Sequence, residues 1–149
     1  MPILRIEFQD EDGERDPLAL TASGPVIQAI IGPPSLATGP GQNLTSDPAD
    51  QLVNALIDTG ATASCVDEAF AIKLGLKVVD VWEVDGVAGT NQHNVYMAKL
   101  SVEDIGRRMN GRLIGVQLDE FTPVILGRDF LTGVIMIYDG VAGTVTITN

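Results

Sequence analysis

Cysteine, histidine and tryptophan each occur once in these 149 residues, and aromatic side chains make up only 5%. A single cysteine, Cys65, permits no internal disulfide, which fits a reducing compartment or simple indifference to redox state. Cys65 follows Asp58 closely, on a segment expected to enter a helix. His93 falls on a different predicted element, so the thiol is expected to be structural and not a nucleophile. Basic residues are also scarce: 9 Lys and Arg face 20 Asp and Glu, for a net charge of −11. Phosphate recognition needs Lys and Arg, so nucleic acid is excluded as an expected partner. An anionic membrane surface is disfavoured for the same reason. Long apolar runs are missing too, and none approaches the ~20 residues of a membrane span. Met1 to Leu4 leads into charges, where a secretory signal would carry an apolar stretch of about 7–15 residues. The expected setting is cytoplasmic, with no membrane partner.

What the chain does have is aliphatic mass. Hydrophobic residues make up 45% and are mostly Val, Ile, Leu and Ala, with a mean hydropathy of +0.21. That composition suits strands packed on one another. Sixteen Gly and eight Pro, scattered without period, agree with many short strands and tight turns in a single domain. The acidic cluster from Glu7 through Asp16 reads as a solvated surface segment.

One stretch organises the rest: Ala55-Leu56-Ile57-Asp58-Thr59-Gly60-Ala61-Thr62. A short apolar run bounded by a turn signal reads as a buried strand, with Asp58 where the strand gives way to a loop. A carboxylate there is costly to bury unless hydrogen-bonded, paired or protonated. Gly60 allows close backbone approach, and Thr59 offers a hydroxyl that donates and accepts. Alone, Asp-Thr-Gly is equally an ordinary exit from a strand into a turn.

Two further landmarks follow it. Gln51 to Ala61 resembles the active-site strand and loop of retropepsin-like aspartic proteases. Pro123-Val124-Ile125-Leu126-Gly127-Arg128-Asp129-Phe130-Leu131 resembles that family's second signature. Between them, Asp85-Gly86-Val87-Ala88-Gly89-Thr90 lies where the family carries its glycine-rich flap. The resemblance spans about residues 51 to 149. It implies an all-β, closed barrel-like acid-protease domain with one or two short helices and a flap hairpin, active as a homodimer. The protease domain is expected at 25–149, with a long loop at about 32–50, behind an acidic N-terminal extension at 1–24.

The chain holds one Asp-Thr-Gly, whereas the family's chemistry takes two carboxylates sharing a proton. The resemblance therefore implies that Asp58 meets its symmetry mate at a two-fold axis, across an isologous interface. It implies an endopeptidase that binds polypeptide in extended form and needs neither cofactor nor metal. Asp58 takes the catalytic role; Thr59, Gly60 and Ala61 support its loop; Gly86, Val87, Ala88 and Gly89 close over substrate. Gly127, Arg128 and Asp129 support the site. Retroviral members commonly carry acidic residues just after Asp-Thr-Gly-Ala, and here Thr62-Ala63-Ser64 stands instead. The alternatives are an inactive dimerisation or peptide-binding module of the same fold and, more distantly, a divalent-metal site at Asp58.

Local signals fill in the remainder. Strands are expected at 3–8, 17–22, 25–31, 76–84, 96–102, 113–118, 122–126, 134–138 and 144–148. Ser64 and Asp67 loosely match a capping box for a helix over 68–74 that ends at Gly75. Asp85-Gly86 signals a hairpin, Gly106 to Gly111 a basic turn, and Arg128 to Leu131 one helical turn. The strand at 144–148 is expected to leave an open edge that builds the floor of a dimer.

Overall fold

The computed structural model describes residues 1–34 and 49–149. Most of the loop expected at about 32–50 therefore lies outside the described residues. In chain order the elements are β1 (Ile3–Glu7), α1 (Pro17–Ser23), β2 (Val26–Gly32), β3 (Gln51–Ile57), β4 (Cys65–Asp67) and α2 (Glu68–Lys73). There follow β5 (Lys77–Gly86), β6 (Gly89–Val102), a 3-10 turn at Glu103–Ile105, β7 (Arg107–Val116) and β8 (Val124–Leu126). The chain ends with α3 (Arg128–Leu131), β9 (Ile135–Asp139) and β10 (Thr144–Thr148). The fold is all-β with a few short helices.

Seven strands form one sheet in the order β2-β3-β8-β4-β7-β6-β5. A further pairing of β2 with β6, through Ile30↔Ser101, Ile31↔Leu100 and Gly32↔Lys99, closes it on itself. Strands β2, β3, β8, β4, β7 and β6 thus make a barrel, and β5 continues outward from β6. Inside are Ile27, Ile31, Ala55, Ile57, Val66, Ala98, Leu100, Leu113, Val124 and Leu126, all buried. The aliphatic composition fills a narrow barrel without large rings. At the closing seam Lys99 Nζ meets Asp50 Oδ2 at 2.7 Å, with both side chains nearly buried.

A second, three-stranded sheet has the order β1-β10-β9. This corrects the expectation for residues 144–148. Strand β10 pairs with β9 on one side and with β1 on the other, from Ile3↔Thr148 to Glu7↔Thr144. Its edge is filled from within the chain.

Three other expectations are corrected. Residues 17–23 are helical, because Asp16 accepts from Leu18 N and Pro17 sits in the first turn, where its missing N–H costs nothing. Leu20 of this helix is fully buried. The cap of α2 is Asp67, which accepts from Phe70 N at 3.0 Å; Ser64 is used elsewhere. Residues 107–111 are strand, with the turn confined to Glu103–Gly106. There Arg107 donates to Phe130 O at 2.9 Å and lies over its ring, pinning α3. No helix among the described residues is long and apolar enough to cross a membrane.

Candidate active site

Strand β3 delivers Asp58 just past its C-terminal end, where strand gives way to loop. Strand β8 pairs with the last three residues of the strand on one side, β2 with Ala55 and Leu56 on the other, where Ile57 N donates to Pro25 O at 3.0 Å. Asp58 N continues the ladder to Leu126 O at 3.0 Å. The chain then turns, as Ala61 N donates to Asp58 O at 3.2 Å. Within that turn Gly60 N donates to Asp58 Oδ1 at 2.8 Å. Among the described residues this is the carboxylate's one hydrogen bond, and the side chain stays half-exposed. A Cβ on Gly60 would stand 3.0 Å from Asp58 Oδ1, so glycine keeps that oxygen clear. Thr59 is exposed beside it.

The segment from Gly127 to Asp129 reaches back to this loop and fastens it. Arg128 N donates to Ala61 O at 2.9 Å. The Arg128 guanidinium donates to Thr59 O at 2.9 Å, Gly60 O at 3.0 Å and Thr62 Oγ1 at 2.8 Å. The threonine that stands where retroviral members commonly have an acid is thus bonded to the arginine directly. A planar fork suits several acceptors held in one loop.

Asp129 fastens the other end. It accepts from Ser64 N at 3.0 Å, from Ser64 Oγ at 2.7 Å and from Phe130 N at 2.7 Å. Ser64 Oγ in turn accepts from Gly127 N at 3.0 Å. Ser64 is fully buried, so every polar atom of the bridge must be partnered. Gly127 is required by close approach: a Cβ there would lie 2.6 Å from Ala63 C and 2.7 Å from Ala63 O.

Cys65 lies in β4 and not in a helix. Its thiol is directed to Ala63 O at 3.6 Å. Burial, then the negative charges of Asp129 and Asp58, push its pKa up to about 11. A thiol so protonated is a poor nucleophile. His93 is on β6, where Nδ1 meets Gly115 O at 2.8 Å.

Gly86, Val87, Ala88 and Gly89 form the tip of the β5–β6 hairpin, with Gly86 paired to Gly89. Gly89 has φ +106°, a conformation that side chains resist. Thr90 Oγ1 donates to the Asp85 carboxylate and ties the two strands just behind the tip. Residues 85–92 are exposed throughout, so the end of the hairpin projects from the barrel. Among the described residues, no cluster of three or more His, Cys, Asp or Glu could hold a metal ion.

Of the residues named from the sequence, the structure brings Gly127–Asp129 against the Asp58 loop and leaves Gly86–Gly89 apart at the exposed tip of the hairpin. Sequence reasoning missed Ser64, Thr62 and Arg107. Ser64 and Thr62 are small polar residues in a loop, and their partners lie more than sixty positions downstream.

Comparison with curated protein sequences finds no match. Among solved structures, EIAV protease complexed with the inhibitor HBY-793 is similar at 21% identity and a TM-score of 0.49, over 73% of this chain and 86% of that one. A retropepsin-like aspartic protease from Rickettsia conorii is 16% identical with a TM-score of 0.48, over 97% of this chain and 90% of that one. Simian Foamy Virus (mac) protease is 23% identical with a TM-score of 0.42, over 54% and 81%. The family model for "gag-polyprotein putative aspartyl protease" matches residues 49–133, more than half of the chain. That stretch runs from the start of β3 through α3 and takes in both fastened segments and the hairpin. By that match, the chain belongs to the retropepsin-like aspartic protease family.

Proposed function

We propose that this protein is an aspartic endopeptidase that works as a homodimer. The observation that carries the reading is Asp58 itself. It is a half-exposed carboxylate at a strand end, its loop fixed by backbone, Arg128 and the Ser64–Asp129 bridge, with one oxygen bonded and the other turned to no donor among the described residues. One such group is half of a shared-proton pair. Two copies related by a two-fold axis supply the other half.

In this reading a water sits between the two Asp58 carboxylates. The ionised member takes its proton while the protonated member donates to the scissile carbonyl oxygen. The water oxygen adds to the carbonyl carbon, and breakdown of that adduct returns a proton to the departing amine. Titration belongs to the pair, since like charges held close cannot both ionise. Thr59, exposed beside Asp58, bonds the opposite loop. Gly60 and Ala61 leave room for an extended peptide, and Gly86, Val87, Ala88 and Gly89 close over it with their backbone groups. Arg128 positions the loop and takes no part in the chemistry.

The experiment is cleavage of an unfolded protein across pH ~4 to 7 by wild type and by Asp58→Asn, with a statine-type transition-state mimic as titrant. Cleavage that Asp58→Asn loses, and that one mimic per two chains abolishes, is the expected result. A folded wild type that neither cleaves nor binds the mimic would favour the inactive peptide-binding module.

A further inference from the structure

Strand β3 is covered on one side along only part of its length. Strand β2 runs beside it from Gln51 to Leu56, whereas β8 pairs only with Ala55 to Ile57. Ile57 N is turned to Pro25 O, on the side of β2, and Asp58 N to Leu126 O, on the side of β8. Backbone groups alternate between the two sides along a strand, so Leu52 and Asn54 direct their N–H groups to the β8 side. Among the described residues no strand pairs with them there. That stretch of edge opens on a groove instead. Two hollows of about 350 and 300 Å³ make up the groove, and Phe70, Glu120 and Pro123 line both. A cavity of about 150 Å³ holds a benzene ring, so each hollow has room for a large apolar side chain. Gln51 to Asn54 and Phe121 border the second hollow, where Leu52 is 63% and Phe121 69% exposed. The groove holds two acids to one base, Asp67 and Glu120 against Lys73. Asp67 spends its oxygens on Phe70 N and Leu118 N. Glu120, shared by both hollows, makes no ion pair or hydrogen bond among the described residues.

We propose that this groove docks an extended segment of the polypeptide substrate, remote from the bond that is cut, with apolar side chains at alternate positions and a Lys or Arg between them. The proposal rests on the endopeptidase reading, which supplies a polypeptide and leaves its distant segments unplaced. Unpaired N–H groups on a strand edge select an extended backbone, which adds as a further strand. Alternate side chains of that strand lie about 7 Å apart on one face and enter the two hollows. Glu120 supplies the complementary charge for the cation, in a chain whose net charge of −11 favours cationic segments throughout. Asn54 and Leu52 precede Asp58 by four and six residues on the same strand. That places them roughly 13 and 20 Å before it, so one polypeptide chain reaches both sites.

The test has two arms. In the first, a blocked hexapeptide alternating Leu and Lys is titrated into Asp58→Asn, and backbone amide shifts and hydrogen exchange are read by NMR. Shifts at Leu52, Asn54 and Phe121 are expected, with slowed exchange of the Leu52 and Asn54 amides. Adding Glu120→Lys weakens that binding about tenfold and turns the preference toward the same peptide with Glu for Lys. Shifts confined to other sites, or none at about 1 mM peptide, would overturn the groove. In the second arm, wild type cleaves a blocked octapeptide copied from a cut site in the unfolded protein. The same octapeptide is also offered with the hexapeptide attached through a flexible linker of about ten residues. The tail is expected to lower KM about tenfold with kcat unchanged. Leu52→Lys and Glu120→Lys, both at exposed positions and confirmed folded by circular dichroism, abolish that gain and cleave the plain octapeptide as wild type does. Binding in the groove with no effect of the tail on KM would overturn the assignment to substrate. A folded wild type that binds the hexapeptide there and cleaves neither octapeptide would instead strike the endopeptidase reading, and the substrate assignment with it.

Discussion

Ser64 Oγ donates to Asp129 Oδ1 across 2.7 Å, joining residues 65 positions apart. Because Ser64 Oγ also accepts from Gly127 N, one buried hydroxyl couples the Asp58 loop to the start of α3. Replacing it with Ala leaves the Gly127 N–H unpaired and takes a donor from Asp129. Ser64→Ala is expected to cost about 1–3 kcal/mol of stability. Urea unfolding of both proteins measures it, and an unchanged midpoint would contradict the coupling.

The Arg128 fork makes a second prediction. It holds Thr59 O, Gly60 O and Thr62 Oγ1 together, so it acts on catalysis through the placement of Asp58. Small misplacements of a catalytic group cost up to about 100-fold. Arg128→Ala is expected to lower kcat by about 10–100-fold on that scale, with KM moving less. Arg128→Lys is expected to restore only part, since an ammonium cannot reproduce the fork. Kinetics on one peptide substrate decide it; a wild-type kcat in Arg128→Ala would refute the role.

Cys65 gives a prediction in pH. Its thiol is raised from 9.0 to about 11 in the folded protein, so the folded state holds its proton more tightly than the unfolded state does. The resulting stability is fully present below pH 9.0 and is lost as pH rises through about 11. Alkylation by iodoacetamide at pH 8 is expected to run about 100-fold slower in the folded protein than in urea. Cys65→Ala is expected to flatten the fall in stability over that alkaline window. Equal alkylation rates in the two states would contradict the burial.

Legibility in the sequence followed the range of the interaction. Asp58 at the end of β3, the Asp85-Gly86 hairpin and the helical turn after Gly127 all rest on neighbours a few positions away, and the structure has them there. Helix α1 shows how local signals compete. Asp16-Pro17 is a sound N-terminal pair, yet the alternation of Leu18 and Leu20 reads as strand, and a helix of seven residues offers too little periodicity to decide. Arg107 and Arg108 have the composition of a turn and sit in a strand because β6 pairs with them. The β1–β10 pairing and the Ser64–Asp129 bridge join residues far apart in the chain. No local pattern announces such contacts, which depend on the closed barrel to bring their partners near. The arginine's partners were hidden for the same reason: two of the three acceptors are backbone carbonyls, which any residue carries.

The central claim is that one active site takes an Asp58 from each of two chains. Its most direct measurement is the cleavage rate of wild type and Asp58→Asn refolded together in varying proportion at constant total protein. Random pairing into a shared site predicts that an equal mixture retains about one quarter of the wild-type rate, falling as the square of the wild-type fraction. A rate of about one half, linear in that fraction, would mean that each chain carries a complete site of its own and would contradict the account.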